Sequence, residues 1–154
     1  MARLSVFVDT NTLVSGVFFP GLENTLLNLY EIELVTADIC VSELFRVARR
    51  KYSALGVETE KVALEETGIA LEDTRVIAKA DYESKLETAK GLLGHQNDQR
   101  ILAAALTEKP DYFVTGDFHF HTSAIRGLLN IVRTRNALEA MGAIGPHPKK
   151  KARK

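Results

Sequence analysis

The sequence predicts a single domain of the α/β class, built on a central, mostly parallel β-sheet. Short apolar runs of strand length alternate with segments whose apolar residues recur at helical spacing, which is the pattern of an α/β sandwich. The chain has 154 residues, the usual size of one domain with its own hydrophobic core. It contains no internal repeat and no interior linker, so we expect a single folded unit.

The predicted strands are short apolar runs. The first covers residues 3–8 and ends abruptly in the polar cluster of residues 9–12. The others, in chain order, are residues 33–36, a short extended piece at 75–78, and residues 112–115 and 130–134.

Helices are predicted between these strands. An apolar stretch ends at the turn signal Pro20–Gly21, after which Leu22, Leu26 and Leu29 recur at helical spacing. Asp38 is expected to cap a helix that continues to about residue 53. The remaining predicted helices cover residues 57–68, 82–94, 97–107, 122–129 and 136–141.

The charge is unevenly distributed along the chain. It has 20 Lys and Arg residues against 20 Asp and Glu residues, yet residues 146–154 carry five basic residues and no acid. We therefore predict an acidic folded body over residues 1–145 and a basic, disordered tail over residues 146–154. We interpret the tail as an electrostatic arm for RNA, with a merely solubilising role as the alternative.

Cysteine usage and hydropathy exclude several classes of protein. The single cysteine, Cys40, rules out a disulfide framework and favours a reducing cytoplasm. No run approaches the roughly 18 apolar residues of a membrane span, and no basic-then-apolar leader opens the sequence. We therefore expect a cytoplasmic protein without a membrane partner.

Two aspartates lie where ligands gather in parallel sheets. Asp9 directly follows the first predicted strand, and Asp117 comes just after the strand at 112–115. The carboxyl ends of parallel strands meet at one edge of the sheet, which is the usual place for a binding site. We therefore expect these two carboxylates to share a site.

Two further acids lie on predicted helices. Asp98 shares a helix face with Ile101, Leu102 and Ala105, so it points toward the core, and Glu43 borders an apolar stripe. A core-facing acid needs a partner, which can be Arg, Lys or a metal ion. Taken singly, each acid also fits an ordinary role as a loop, capping or ion-pairing residue. Together, with few histidines nearby, the four suit a hard cation such as Mg²⁺ or Mn²⁺.

The motifs around these four acids resemble the PIN domains, a family that includes metal-dependent endoribonucleases and VapC-type toxins. The four acids are separated by 34, 55 and 19 residues, an order and spacing similar to the family's. The matching segments are Phe7-Val8-Asp9-Thr10-Asn11, Ser42-Glu43-Leu44, Asn97-Asp98-Gln99-Arg100 and Thr115-Gly116-Asp117-Phe118.

The resemblance implies a three-layer α/β/α fold and a set of site residues. Asp9, Glu43, Asp98 and Asp117 would be the catalytic acids around a bound Mg²⁺ or Mn²⁺. Supporting polar residues would be Asn11, Thr115 and His119. His119 stands where many family members have a second aspartate, which leaves the metal preference open.

The resemblance also implies an activity and partners. It implies hydrolysis of RNA phosphodiesters by metal-activated water, leaving 5′-phosphate and 3′-hydroxyl ends. From the family's habits we expect a homodimer that is the toxin of a toxin–antitoxin pair, inhibited by a small antitoxin protein. The alternatives are an RNA-processing nuclease and a catalytically silent PIN fold that binds RNA or protein.

Basic side chains near the acids are candidates for binding the RNA backbone, because a polyanion needs cations beside an acidic site. They are Arg46, Arg49, Arg50 and Arg100. A solvated helix face is an equally good interpretation of the three arginines that follow Glu43.

Overall fold

Five strands form one sheet in the computed structural model, which describes residues 3–145. They are β1 (Leu4–Val8), β2 (Ile32–Ala37), β3 (Arg75–Ile77), β4 (Tyr112–Val114) and β5 (Ile131–Val132). Their spatial order is β3-β2-β1-β4-β5, and every neighbouring pair is parallel. The predicted α/β class with a parallel sheet is confirmed. The tail at 146–154 lies outside the described residues.

Helices pack on the sheet in two groups. They are α1 (Thr10–Phe18), α2 (Leu22–Leu27), α3 (Asp38–Tyr52), α4 (Val57–Ala70), α5 (Lys79–Tyr82), α6 (Leu86–Lys90), α7 (Gln96–Glu108), α8 (Ser123–Arg126) and α9 (Thr134–Ala140). Helix α1 contacts α2 and α3, α3 contacts α4, and α2 contacts α9, whereas α5 and α6 contact α7, which also touches α3. Right-handed crossovers place these groups on opposite faces, giving three layers. No helix among residues 3–145 is long and apolar enough to cross a membrane.

The core holds the centre of the sheet in a fixed arrangement. The side chains of Phe7 in β1 and Phe113 in β4 are fully buried, and their rings meet edge to face at 5.1 Å. Phe120 packs on Phe113, also at 5.1 Å between ring centroids. Because Asp9 and Asp117 lie close in sequence to these rings, the packing fixes the backbone on which both acids stand.

The register of the central strands explains why their ends meet. Strand β1 pairs with β4 so that Val8 lies opposite Val114. The next residues, Asp9 and Thr115, therefore leave the sheet side by side at its carboxyl edge.

The structure corrects the bounds of two predicted helices. The helix expected over residues 82–94 is interrupted by a 3-10 turn at Glu83–Lys85, which separates α5 from α6. The Tyr82 side chain is buried and its hydroxyl donates to Asp38 at 2.9 Å, which fixes the end of α5 against α3. The helix expected over 122–129 ends as α8 at Arg126, since the chain then brings Leu129 into the core ahead of β5.

Asp38 also differs from its predicted role. The N-cap position of α3 is Ala37, and Asp38 is the first residue of the helix. Its carboxylate accepts the main-chain N–H of Ile39 at 2.7 Å and that of Lys79 at 2.9 Å. Asp38 therefore joins the start of α3 to the start of α5.

Candidate metal centre

Asp9 is a buried carboxylate at the junction of β1 and α1, with 3% of its surface exposed. It is the N-cap of α1, where Oδ1 accepts the main-chain N–H of Thr12 at 3.0 Å and the Thr12 hydroxyl at 2.7 Å. Its Oδ2 accepts the Thr115 hydroxyl at 2.5 Å. Hydroxyl groups thus hold both oxygens, and no Lys or Arg among residues 3–145 pairs with this acid.

Thr115 connects the two acids at the strand ends. Its side chain is fully buried. The hydroxyl group donates a hydrogen bond to Asp9, and the oxygen of the same hydroxyl accepts one from the main-chain N–H of Asp117 at 3.0 Å. Asp117 then caps the 3-10 turn at Phe118–Phe120 by accepting the main-chain N–H of His119 at 3.0 Å. One threonine therefore sets the position of Asp117 relative to Asp9.

Asp98 enters the site from the first turn of α7, where it is half-buried. One ligand atom from each of Asp98, Asp117 and His119 lies within 4.8 Å of the other two. The Nδ1 atom of His119 is 2.9 Å from Oδ1 of Asp117. Two carboxylates and one imidazole thus converge at the edge of the sheet.

Burial and like charge raise the pKa of two of these acids. The pKa of Asp9 is raised by desolvation, which outweighs the hydrogen bonds from Thr115 and Thr12, and the charge of Asp117 raises it further. Desolvation also raises the pKa of Asp98, followed by the charge of Asp117, while His119 and His95 oppose the shift. Both anions are therefore less stable here than in water, and a bound cation would stabilise them.

Glu43 is held beside this group by polar side chains from two helices. On α3 it is half-buried, and its Oε2 accepts the Thr10 hydroxyl at 2.6 Å. Its Oε1 accepts the Asn97 amide at 3.0 Å, from the residue that precedes Asp98 on α7. Within residues 3–145 Glu43 makes no ion pair with the arginines that follow it on α3.

A groove whose walls carry three cations and two acids, Asp38 and Glu43, lies beside helices α3 and α7. We call it the Glu43 groove; it has a volume of about 390 Å³, and its walls include Glu43, Asn97, Arg46, Lys79 and Arg100. The three cations on its walls form no ion pairs within residues 3–145. Two of the predicted RNA-binding arginines, Arg46 and Arg100, thus lie beside Glu43.

The other predicted polar residues lie in different settings. Arg49 and Arg50 are exposed near the end of α3 and do not line the Glu43 groove. Asn11 is exposed, and among the described residues it makes no hydrogen bond to the acids. Thr10 and Thr12, on either side of it, make those bonds instead.

Sequence reasoning missed Thr10, Thr12 and Asn97 as positioning residues. A signal for the two threonines was available, because both stand in the first turn after a strand, where side-chain oxygens and N–H groups commonly exchange hydrogen bonds. No such signal marks Asn97, whose partner Glu43 is 54 residues away in sequence.

Fold and site together define a parallel α/β domain that gathers carboxylates at the carboxyl edge of its sheet. The family model described as PIN domain matches residues 5–119, and the chain belongs to this family. The predicted resemblance is confirmed.

Comparison with solved structures agrees on the fold. The chain is similar to a chain in the crystal structure of VapBC2 from Rickettsia felis bound to a DNA fragment from their promoter, with a TM-score of 0.60 and 19% sequence identity. The match covers 84% of this chain and 98% of that chain. No curated protein sequence matches the chain.

Proposed function

We propose that the protein is a divalent-metal-dependent endoribonuclease that hydrolyses RNA phosphodiesters. The observation that carries the proposal is the set of acids at the sheet edge: Asp9 is buried without a Lys or Arg partner among residues 3–145, and Asp98 and Asp117 converge beside it. Leaving such charges uncompensated is costly, so the site has a physical need for a cation. Membership of the PIN family, whose domains are generally nucleases, supports the same activity.

The donor set fits a hard divalent cation. Carboxylate oxygens are the ligands that Mg²⁺ and Mn²⁺ prefer. Those of Asp98 and Asp117 converge in one group, and we propose that Asp9 and Glu43, which lie outside that group, complete the acidic site. When bound, such an ion activates water for attack on phosphorus and neutralises the charge that develops on the phosphodiester.

The chain's own polar residues prepare the site for this chemistry. Thr12 and Thr115 hold the carboxylate of Asp9 in one orientation, and Thr10 and Asn97 do the same for Glu43. Fixed orientation reduces the reorganisation needed when substrate binds.

Basic residues supply the attraction for RNA. We propose that Arg46 and Arg100, joined by Lys79, hold backbone phosphates in the Glu43 groove, where they lie beside Glu43. We assign Arg49, Arg50 and the tail at 146–154 to more distant phosphates of a longer substrate.

We further propose that the protein is the toxin of a toxin–antitoxin pair, acting in the cytoplasm as a homodimer. Structural similarity to a chain of a VapBC2 complex supports this role. The antitoxin would be a small protein that presents a basic side chain to the acids, because such a charge offsets their repulsion.

The first test is RNA cleavage by the full chain in EDTA, Mg²⁺ or Mn²⁺. We expect cleavage that requires the metal and is lost in Asp98→Asn but retained in Glu65→Gln, a matched change at an exposed acid on α4. Metal-dependent binding of RNA without cleavage would favour the silent PIN fold. Cleavage that survives in Asp98→Asn would contradict the assigned role of this carboxylate.

The toxin assignment needs a second readout. Induced expression in a bacterial host should arrest growth with the unchanged chain and not with Asp98→Asn. Normal growth despite active nuclease would favour RNA processing outside a toxin system.

A further inference from the structure

We propose that His119 is a metal ligand through Nδ1, and that this nitrogen donor makes the centre prefer Mn²⁺ over Mg²⁺. The inference rests on the proposed function, since it concerns the same metal centre. It assigns to His119 a role beyond that of a supporting polar residue.

The distance between His119 and Asp117 suits two ligands of one ion. Nδ1 of His119 lies 2.9 Å from Oδ1 of Asp117. Ligands about 2.1 Å from an ion, on adjacent corners of an octahedron, are about 3.0 Å apart. The ligand atom of Asp98 lies within 4.8 Å of both of these atoms. For comparison, two ligands on opposite corners of the same octahedron would be about 4.2 Å apart.

Neighbouring rings hold the imidazole in place. The ring centroids of Phe118 and His119 are 4.3 Å apart. The ring of His95, the N-cap residue of α7, lies 5.9 Å from that of His119. The main-chain N–H of His119 donates to Asp117, which ties the residue to the same carboxylate. His119 therefore approaches the centre with its backbone anchored and its ring beside those of Phe118 and His95.

Ligation through Nδ1 requires the neutral tautomer whose proton is on Nε2. The side chain of His119 is 45% exposed, so Nε2 can carry that proton toward water or substrate. An Nδ1–H that donates to Asp117 is the other tautomer of the same ring. The change between them moves one proton and leaves the charge of the ring unaltered.

The nitrogen donor changes which ion the site favours. Mg²⁺ prefers a shell of oxygen ligands and gives up its waters reluctantly, whereas imidazole suits first-row transition ions. An aspartate in place of His119 would restore an all-oxygen set. We therefore expect His119→Asp to lower the ratio of Mn²⁺ affinity to Mg²⁺ affinity, because it exchanges a nitrogen donor for an oxygen donor. The expected change is about tenfold, the lower end of the effects that residues around a metal ion have on affinity.

The test is pulsed electron paramagnetic resonance of Mn²⁺ bound to the full chain without RNA, with calorimetric titration of Mn²⁺ and Mg²⁺. In the unchanged protein and in His95→Asn, we expect the electron spin echo of Mn²⁺ to be modulated by one directly bound ¹⁴N nucleus. In His119→Asp this modulation should be lost. His95→Asn is the matched control because it removes the neighbouring imidazole. Unchanged circular dichroism would show that each variant is folded.

Several outcomes would overturn the inference. They are a protein that binds Mn²⁺ without nitrogen coupling, coupling that persists in His119→Asp, and coupling that disappears in His95→Asn alone. Parallel RNA cleavage assays separate this result from the proposed function. Coupling without cleavage supports the ligand and contradicts the nuclease, whereas cleavage without coupling does the reverse.

Discussion

Replacing Asp98 by Asn should stabilise the folded protein in EDTA at neutral pH while weakening its response to divalent metal. The charge of Asp117 raises the pKa of Asp98, after the larger effect of desolvation. Removing the charge of Asp98 relieves both effects and keeps the shape of the side chain. The same change removes a carboxylate from the proposed metal centre. The stability of the metal-free protein should therefore rise while its affinity for the metal ion falls.

The distance between the acids sets the size of this effect. With ligand atoms within 4.8 Å of each other, two unit charges repel by about 0.9 kcal/mol at the dielectric constant of water and about 3.5 kcal/mol at an effective value near 20. Asp98 is half-buried, so the repulsion lies between these limits, and attraction to His119 and His95 offsets part of it. We expect a net gain of about 1–2 kcal/mol, or roughly 2–8 °C in Tm for a domain of this size.

The pH dependence of the gain has a definite sign. The pKa of Asp98 in the folded state is raised above its ordinary value of 3.8. Below that value the acid is protonated in both states, and Asp98→Asn and the unchanged protein should be equally stable. As the pH rises from 3.8 through the raised pKa, the unfolded state releases its proton first and the unchanged protein loses stability. The advantage of the variant should therefore be absent near pH 3 and complete at neutral pH.

Thermal unfolding by circular dichroism, with and without Mn²⁺, measures both effects. A ligand at one hundred times its Kd stabilises the folded state by about 2.7 kcal/mol, which corresponds to roughly 5–10 °C here. The unchanged protein should show a shift of that order on adding Mn²⁺, and Asp98→Asn a much smaller one.

Glu65→Gln is the control for the loss of one negative charge at an exposed position, and its Tm should change little. The reasoning is refuted if Asp98→Asn is less stable than the unchanged protein in EDTA at pH 7. It is also refuted if the stability difference is the same at pH 3 as at pH 7.

Three further changes test separate parts of the structure. Thr115→Val removes a buried hydroxyl that donates to Asp9, so it should lower the free energy of unfolding by about 1–3 kcal/mol in urea titrations, whereas Thr115→Ser should recover most of the loss. Gly16→Ala should cost about 1–3 kcal/mol in the same titrations, because the new Cβ would lie 3.0 Å from the backbone oxygen of Glu23 and 2.6 Å from Cδ2 of Leu27; no loss would mean that Leu27 and the backbone of α2 shift to make room. Burial raises the pKa of the Cys40 thiol to about 11, so iodoacetamide at pH 8 should modify the unfolded chain and leave the native protein unlabelled, and rapid native labelling would contradict its burial.

The sequence was sufficient to predict the sheet and the two acids at its edge. Apolar runs ending in polar residues mark the carboxyl ends of buried strands, and Asp9 and Asp117 both follow such runs. Parallel topology then brings them to one edge, because β1 and β4 turn out to be neighbours in the sheet.

The contacts that position the acids could not be predicted in this way. The bond from Thr115 to Asp9 depends on Val8 lying opposite Val114. Around these residues both strands are buried on both faces and read as continuous apolar runs, so the sequence pattern does not determine this register. The interruption at Glu83–Lys85 has a similar origin, since the apolar spacing across it is helical and the partner of Tyr82 lies 44 residues earlier in the sequence.

Hydroxyl donors hold the acids in place without neutralising them. Thr12 and Thr115 satisfy the hydrogen-bonding capacity of Asp9, and Thr10 contributes in the same way to Glu43. A lysine or arginine in these places would cancel the charge and compete with any metal ion. Neutral donors instead keep the carboxylates oriented without cancelling their charge, so the repulsion between Asp98 and Asp117 remains as a deficit in stability. That deficit gives a bound cation a free-energy gain on entering the site, and it is the reason that stability and metal binding are expected to oppose each other at Asp98.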